Sequence, residues 1–287
     1  MDKIKINDAV LSLHRAFNTG DKKYVEFAIR SLQSIVNDEC AIVLHRADQY
    51  VAPKENKQFL PTGIDWFDNA TNGGLRRQEL FLLGGVTSIG KTHFLSYIAG
   101  HYVLKGLNVL HFNGEDILED VKEIYACGLD KDDMKRLYFA EVISGSFNEA
   151  KIEDAIENLK KENFVPDVIV LDHLDIMSVM NNREDWLAIS ELTKNIRAIA
   201  KKHNVIMLTA SQMNFAGGGV AGGGFNGSAL GRLYRGKVSK AAHCDVIFLV
   251  VDAVGNNYQL EVSKLRGRKR KEQFINLNVN LDEMIIG

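Results

Sequence analysis

Residues 84–93 read Gly84-Gly85-Val86-Thr87-Ser88-Ile89-Gly90-Lys91-Thr92-His93, and Gly85 to Thr92 fill every required position of G-x-x-x-x-G-K-[ST]. The apolar run Leu80-Phe81-Leu82-Leu83 precedes the motif, and the helix-like stretch Phe94–Ile98 follows it. That context matters because a strand must aim such a loop and a helix N-terminus must receive anionic phosphate. Gly85, Val86, Thr87, Ser88, Ile89 and Gly90 would close backbone N–H groups around the phosphates. Lys91 would reach the β- and γ-phosphates, and the Thr92 hydroxyl would hold Mg²⁺. The stretch predicts binding of ATP or a related nucleotide in preference to a plain glycine turn.

Outward from the loop, residues 59–287 alternate between strand-like and helix-like segments. Apolar runs of strand length occur at Leu80–Leu83, Val109–Phe112, Val168–Leu171, Val205–Thr209, Val246–Val251 and Leu260–Val262. Leu187–His203 has Leu192, Ile196 and Ile199 at helical spacing. Runs as continuous as Val168-Ile169-Val170-Leu171 suit a mostly parallel sheet buried on both faces, so the expected fold class is α/β with helices on both sides. Ligands then belong at the carboxyl ends of the strands, where the loop lies.

Other candidate residues follow from strand ends. Asp172 closes Val168–Leu171 and is placed to bind Mg²⁺, with Asp175 a weaker competitor and a simple cap the bland alternative. The next residue is His173, so no adjacent glutamate is available as base. Glu115, just past Val109–Phe112, is the substitute, on a strand expected beside the phosphate-loop strand; Asp116 competes with it. Gln212, after Val205–Ala210, is a candidate γ-phosphate sensor.

Residues 214–228 (NFAGGGVAGGGFNGS) read as a flexible loop, leading into Arg232, Tyr234, Arg235, Lys237 and Lys240. Cations on a mobile loop suit contact with a nucleic-acid backbone, and a solvated basic face is the alternative. The run Lys264-Leu-Arg-Gly-Arg-Lys-Arg-Lys271 reads as an exposed turn, a nonspecific patch, or a source of trans-acting cations. In the last case alternation along an extended segment puts Lys264 and Arg266 on one side, free to serve a neighbouring subunit's γ-phosphate.

Residues 1–50 are helix-like, with stripes at Val10, Leu13, Phe17 and at Val25, Ile29, Leu32, Val36, broken by Thr19-Gly20-Asp21. The polar stretch 51–58 reads as a linker. Two short helices bury too little surface to fold alone, which suggests an oligomerisation or docking element, or else a packed appendage. The 287-residue chain has 46% hydrophobic and 25% charged residues, a composition for a globular core. Its net charge of −2 means any nucleic-acid contact must be local. Three scattered cysteines form neither a disulfide framework nor zinc spacing. With no signal-peptide core and no bilayer-length apolar stretch, the expectation is a cytoplasmic protein without membrane contact.

Jointly, residues 60–92, Val168–Met177 (VIVLDHLDIM), 201–214 (KKHNVIMLTASQMN), 242–250 (AHCDVIFLV) and 264–267 (KLRG) resemble the RecA-like motor domain of DnaB-type replicative helicases. The resemblance covers residues 59–287. It implies a homo-oligomer, as a hexameric ring with ATP between subunits, translocating on single-stranded DNA, with a primase or helicase loader as further partners. By position it implies phosphate binding by Gly85–Thr92, Mg²⁺ at Thr92 and Asp172, and Glu115 as base. Gln212 becomes the sensor, Lys264 and Arg266 the trans-acting cations, and Arg232, Arg235 and Lys237 the DNA contacts. The larger N-terminal domain of that family is missing or replaced by the short helical segment. The chain is also similar to phage-type RecA-like ATPases that anneal or exchange strands, so a filament-forming recombinase is a second expectation. A nucleotide-gated assembly protein without motor activity is a third.

Overall fold

The computed structural model describes residues 2–36, 59–142, 147–174, 186–212, 242–281, 283 and 285–287. They separate into two compact units, one within Met1–Lys54 and one within Glu55–Gly287. The linker expected at 51–58 lies outside the described residues.

In the first unit, α1 (Asp2–Thr19) packs on α2 (Lys22–Val36). The turn between them is set by Gly20, which takes a left-handed φ of 68°, and by Asp21, whose carboxylate accepts from the Lys23 amide. Small side chains are buried here, Ala9, Ala16 and Ala28. The larger residues of both sequence stripes, including Val10, Leu13, Phe17, Val25, Ile29 and Leu32, are exposed within this unit.

The second unit is built on one nine-stranded sheet. In chain order its strands are β3 (Leu80–Gly85), β4 (Val109–Asn113), β5 (Leu137–Glu141), β6 (Val168–Asp172), β7 (Ile206–Gln212), β8 (Val246–Val254), β9 (Asn257–Leu265), β10 (Phe274–Asn280) and β11 (Ile285–Ile286). A two-residue pair, β1 (Phe59–Leu60) with β2 (Leu75–Arg76), stands apart from it. The spatial order is β5-β4-β6-β7-β3-β8-β9-β10-β11. The first six strands are parallel; β9, β10 and β11 follow antiparallel. This is the expected mostly parallel sheet flanked by helices.

The side-chain alternation of β3 explains the layers. Phe81 and Leu83 pack under α4 (Lys91–Leu104) and α3 (Asp65–Thr71), in a cluster that also takes Tyr125 from α5 (Leu118–Ala126). Leu80 and Leu82 face the other way, into a cluster with Ile152 and Ile156 of α6 (Glu149–Lys161) and Ile196 and Ile199 of α7 (Trp186–His203). Every residue of β3, β4 and β6 is buried, which accounts for their unbroken apolar character.

One expectation about order fails. β3 is flanked by β7 and β8, and β6 and β7 stand between it and β4. Glu115 therefore does not follow a strand neighbouring the phosphate loop. Sequence order suggested that neighbour, whereas right-handed crossovers skip positions and fill them later with β6 and β7. Strands β5, β10 and β11 were not expected. Leu137–Glu141 is only half-buried, and β10 alternates buried and exposed residues at the antiparallel end of the sheet. Neither shows the apolar continuity by which the parallel strands are recognised.

Candidate active site

The loop leaves β3 at Gly85 and enters α4 at Lys91. Its backbone folds back sharply: Ser88 has φ 60°, and Gly90, the residue capping α4, has φ 84°. Left-handed residues of this kind turn successive N–H groups inward to form an anion-binding nest, here at a helix N-terminus. The Lys91 ammonium donates to the Val86 carbonyl at 2.8 Å, so the loop folds around its own lysine. Thr87 Oγ1 donates to Gln212 Oε1 at 3.3 Å, because β7 is paired with β3 in a register that sets Gln212 opposite Gly85. The sequence-derived sensor residue and the loop are thus in contact.

Three carboxylates gather on the other side of the loop. Asp172 ends β6 with its side chain buried, preceding a cis peptide to His173. The register of β4 on β6 places Asn113 opposite Asp172, which brings the Gly114–Asp116 turn to the same edge. Asn113 Nδ2 donates to the Asp116 carbonyl at 2.8 Å and fixes that turn. Thr92 Oγ1 donates to Asp116 Oδ2 at 2.8 Å while also standing beside Asp172. Glu115 Oε2 lies 3.1 Å from His173 Nδ1, with the glutamate side chain half exposed.

Burial pushes the Asp172 carboxyl up to about 7. Asp116 and Glu115 add to the rise, and Thr92 and Lys91 oppose it. Asp172 Oδ2 is buried without a hydrogen-bond partner. A buried carboxylate among further acids, next to a threonine hydroxyl, is a donor set that suits a hard cation. Among the described residues, no three His, Cys, Asp or Glu side chains form a metal cluster on their own. Mg²⁺ characteristically takes one or two protein oxygens and completes its shell with phosphate and water. The residues fit Mg²⁺ arriving with a nucleotide.

Lys264 and Arg266 do come together, at the opposite edge. Both donate to the Ala242 carbonyl, at 3.1 and 3.2 Å. Since β9 runs antiparallel, its end lies beside the start of β8, and the Arg266 amide bonds to the Asp245 carbonyl. Asp245 in turn donates its amide to Leu80, the first residue of β3. From that level to Gly85 is five residues, roughly 17 Å of strand at ~3.3 Å per residue. The two cations thus meet at the Ala242 carbonyl, at the amino end of the sheet and not at the phosphate loop of their own chain.

Their surroundings were not foreseen. Asp245 is buried and bound bidentately by Arg197 of α7, 2.8 Å at each contact, with Arg266 Nε 3.5 Å away. Arg268 is no surface charge. It is buried in an ion pair with Glu79, donates to the Thr71 and Gly74 carbonyls, and lies over the Phe59 ring. Arg270 donates to the Val262 carbonyl. Of the run 264–271, these arginines hold the fold together, an outcome that charge counting does not distinguish from a basic patch. Asp175 and the loop carrying Arg232, Tyr234, Arg235, Lys237 and Lys240 lie outside the described residues.

With the geometry in place, two curated proteins are found to be similar. DNA repair protein RadA of Aquifex aeolicus is 28% identical over 189 residues, covering 64% of this chain and 39% of RadA. DNA repair protein RadA of Rickettsia conorii is 24% identical over 152 residues, covering 52% of this chain and 32% of that protein. The core is RecA-like. The chain spans about a third of the length of these relatives, and no family model matches it. Among the described residues, no helix is long and apolar enough to cross a membrane.

Proposed function

We propose that this chain is a DNA-dependent ATPase working as a homo-oligomer, with each nucleotide clasped between a phosphate loop on one subunit and cations from the next. The observation that carries this reading is the separation within one chain: Gly85–Thr92, Asp172 and Gln212 lie at the carboxyl edge of the sheet, and Lys264 and Arg266 at the amino edge. A single subunit holds both halves of a phosphoryl-transfer site and cannot bring them together.

In this reading the amides of Gly85–Gly90 hold the phosphates and Lys91 moves from the Val86 carbonyl to the β- and γ-oxygens. Thr92 and Asp172 hold Mg²⁺, which neutralises phosphate charge when bound. Glu115 orients the attacking water, positioned through His173. Gln212 senses the γ-phosphate and couples it to the chain beyond β7. Lys264 and Arg266 of the neighbour stabilise charge that develops in the transition state.

The similarity to RadA, a protein named for DNA repair, supports a repair setting, and the sequence's likeness to RecA-like ATPases that exchange strands supports assembly on DNA. Replicative helicase activity, in a hexamer partnered by primase or loader, is the finer reading supported by the sequence resemblance. ATPase rates across protein concentrations, with and without single-stranded DNA, test the shared claim. A turnover per subunit that neither rises with protein concentration nor responds to DNA refutes it. Fork unwinding of defined polarity distinguishes helicase from strand-exchange work.

A further inference from the structure

His111 lies in the middle of β4, between Leu110 and Phe112, and is fully buried. It pairs in register with Val170, two residues before Asp172, so its side chain is on the same face of the sheet as Asp172. The His111 Nε2 atom is 4.0 Å from Asp172 Oδ2, and the other ring nitrogen, Nδ1, is 2.9 Å from the Tyr125 hydroxyl. Tyr125 comes from α5, is itself buried, and has Ser96 of α4 against its phenol. Phe139 and Tyr125 pack on the imidazole with ring centroids 5.9 and 5.7 Å away, which leaves the ring little freedom.

We propose that His111 and Tyr125 are positioning residues for Asp172: the phenol hydroxyl donates to Nδ1, which places the imidazole proton on Nε2, facing Asp172 Oδ2. The alternative tautomer would aim a lone pair at a carboxylate in a dry interior, an arrangement that low dielectric makes costly. At 4.0 Å the Nε2–H and Oδ2 are attracted without a full hydrogen bond. That contact biases the carboxylate rotation and leaves the other oxygen, Oδ1, to serve as the ligand. A neutral donor suits this position better than Lys or Arg, because a full positive charge there would compete with the cation Asp172 is placed to hold. The inference deepens the proposed nucleotide site and rests on Asp172 serving Mg²⁺ there.

The test is the gain in affinity that Mg²⁺ gives for a fluorescent, non-hydrolysed ATP analogue, measured as Kd with Mg²⁺ against Kd in EDTA. Support for a metal ligand from behind is worth 10–100-fold in metal affinity, so His111→Phe is expected to cut the Mg²⁺ gain by about tenfold and leave the EDTA value unchanged. His111→Gln, which can place an N–H near the Nε2 position, should recover most of the gain. Tyr125→Phe, which deletes only the hydroxyl, should lose an intermediate share. An unchanged gain in both His111→Phe and Tyr125→Phe overturns the inference. If His111→Phe also loses binding in EDTA, packing has failed, and Tyr125→Phe decides: a reduced gain supports the inference and a normal one overturns it. A wild-type protein indifferent to Mg²⁺, or a Lys91→Ala protein that binds the analogue normally, refutes the nucleotide-site reading and this inference with it.

Discussion

The two edges of the central sheet are built by opposite means. At the carboxyl edge the strands end in backbone: Gly84-Gly85, a left-handed turn and a helix N-terminus, with Asp172, Asp116 and Glu115 crowded together beside Lys91. At the amino edge the buried acids among the described residues are neutralised in place, Asp245 by Arg197 and Glu79 by Arg268 and Arg76. Lys264 and Arg266 meet there at the Ala242 carbonyl, with Asp245 also within reach of Arg266. One edge is organised to receive a charged ligand and the other to present charge. In the proposed function, that difference places the two edges in different subunits of one working unit.

The sharpest way to break that comparison is Arg266→Ala. A trans-acting cation is worth ~10³–10⁵ in rate, so the variant should lose nearly all DNA-stimulated turnover and keep nucleotide binding. Mixing it with Lys91→Ala should restore part of the activity, because some interfaces then pair an intact cradle with an intact arginine. Failure of the mixture to exceed either variant alone rejects the shared site. Next in size is Glu115→Gln, expected to lower turnover by ~10²–10⁴ with nucleotide affinity kept, the range for a positioned base. Wild-type turnover in that variant would hand the role to Asp116, whose carboxylate already meets Thr92.

How far these edges were legible in sequence follows from what each is made of. The carboxyl edge uses backbone-dictated chemistry, and backbone chemistry leaves a pattern: glycines at fixed offsets, a lysine and threonine opening a helix, an acid ending an apolar run. Gly85–Thr92, Asp172 and Gln212 are therefore legible as candidates in the sequence, and the fold brings them to one edge. The amino edge depends on side chains distant in the chain, such as Arg197 with Asp245 and Arg268 with Glu79, and no local spacing encodes such pairs. Strand order was misjudged for the same reason, since pairing of β3 with β7 is a long-range fact. His111 had a visible signal, one polar residue inside Val109-Leu110-His111-Phe112, although that pattern does not say which group it faces.

The edges should also differ in what destabilises them. Removing one partner of a buried ion pair costs about 3–5 kcal/mol, so Arg268→Met should lower unfolding free energy by that order in a urea titration, with Glu79 left short of charge. Pairing it with Glu79→Gln should return part of the loss; a strictly additive double variant would mean that the arginine acts through its carbonyl contacts and the Phe59 ring instead.

At the carboxyl edge the matching change is Gly90→Ala, and its origin can be separated into strain and clash. A left-handed φ costs a side-chain-bearing residue ~1–2 kcal/mol whatever the space around it. A methyl at Gly90 would also come within 2.8 Å of Leu281 Cδ1, the flexible end of a side chain that can move aside. Backbone strain should therefore dominate. Gly90→Ala is expected to lose about 1–2 kcal/mol of stability and to weaken nucleotide binding as the nest distorts. Adding Leu281→Ala should then bring no recovery in either measurement. Recovery of both would mean that the loop tolerates the backbone angle and is shaped by its neighbour, and the carboxyl edge would then depend, like the amino edge, on a residue far away in the chain.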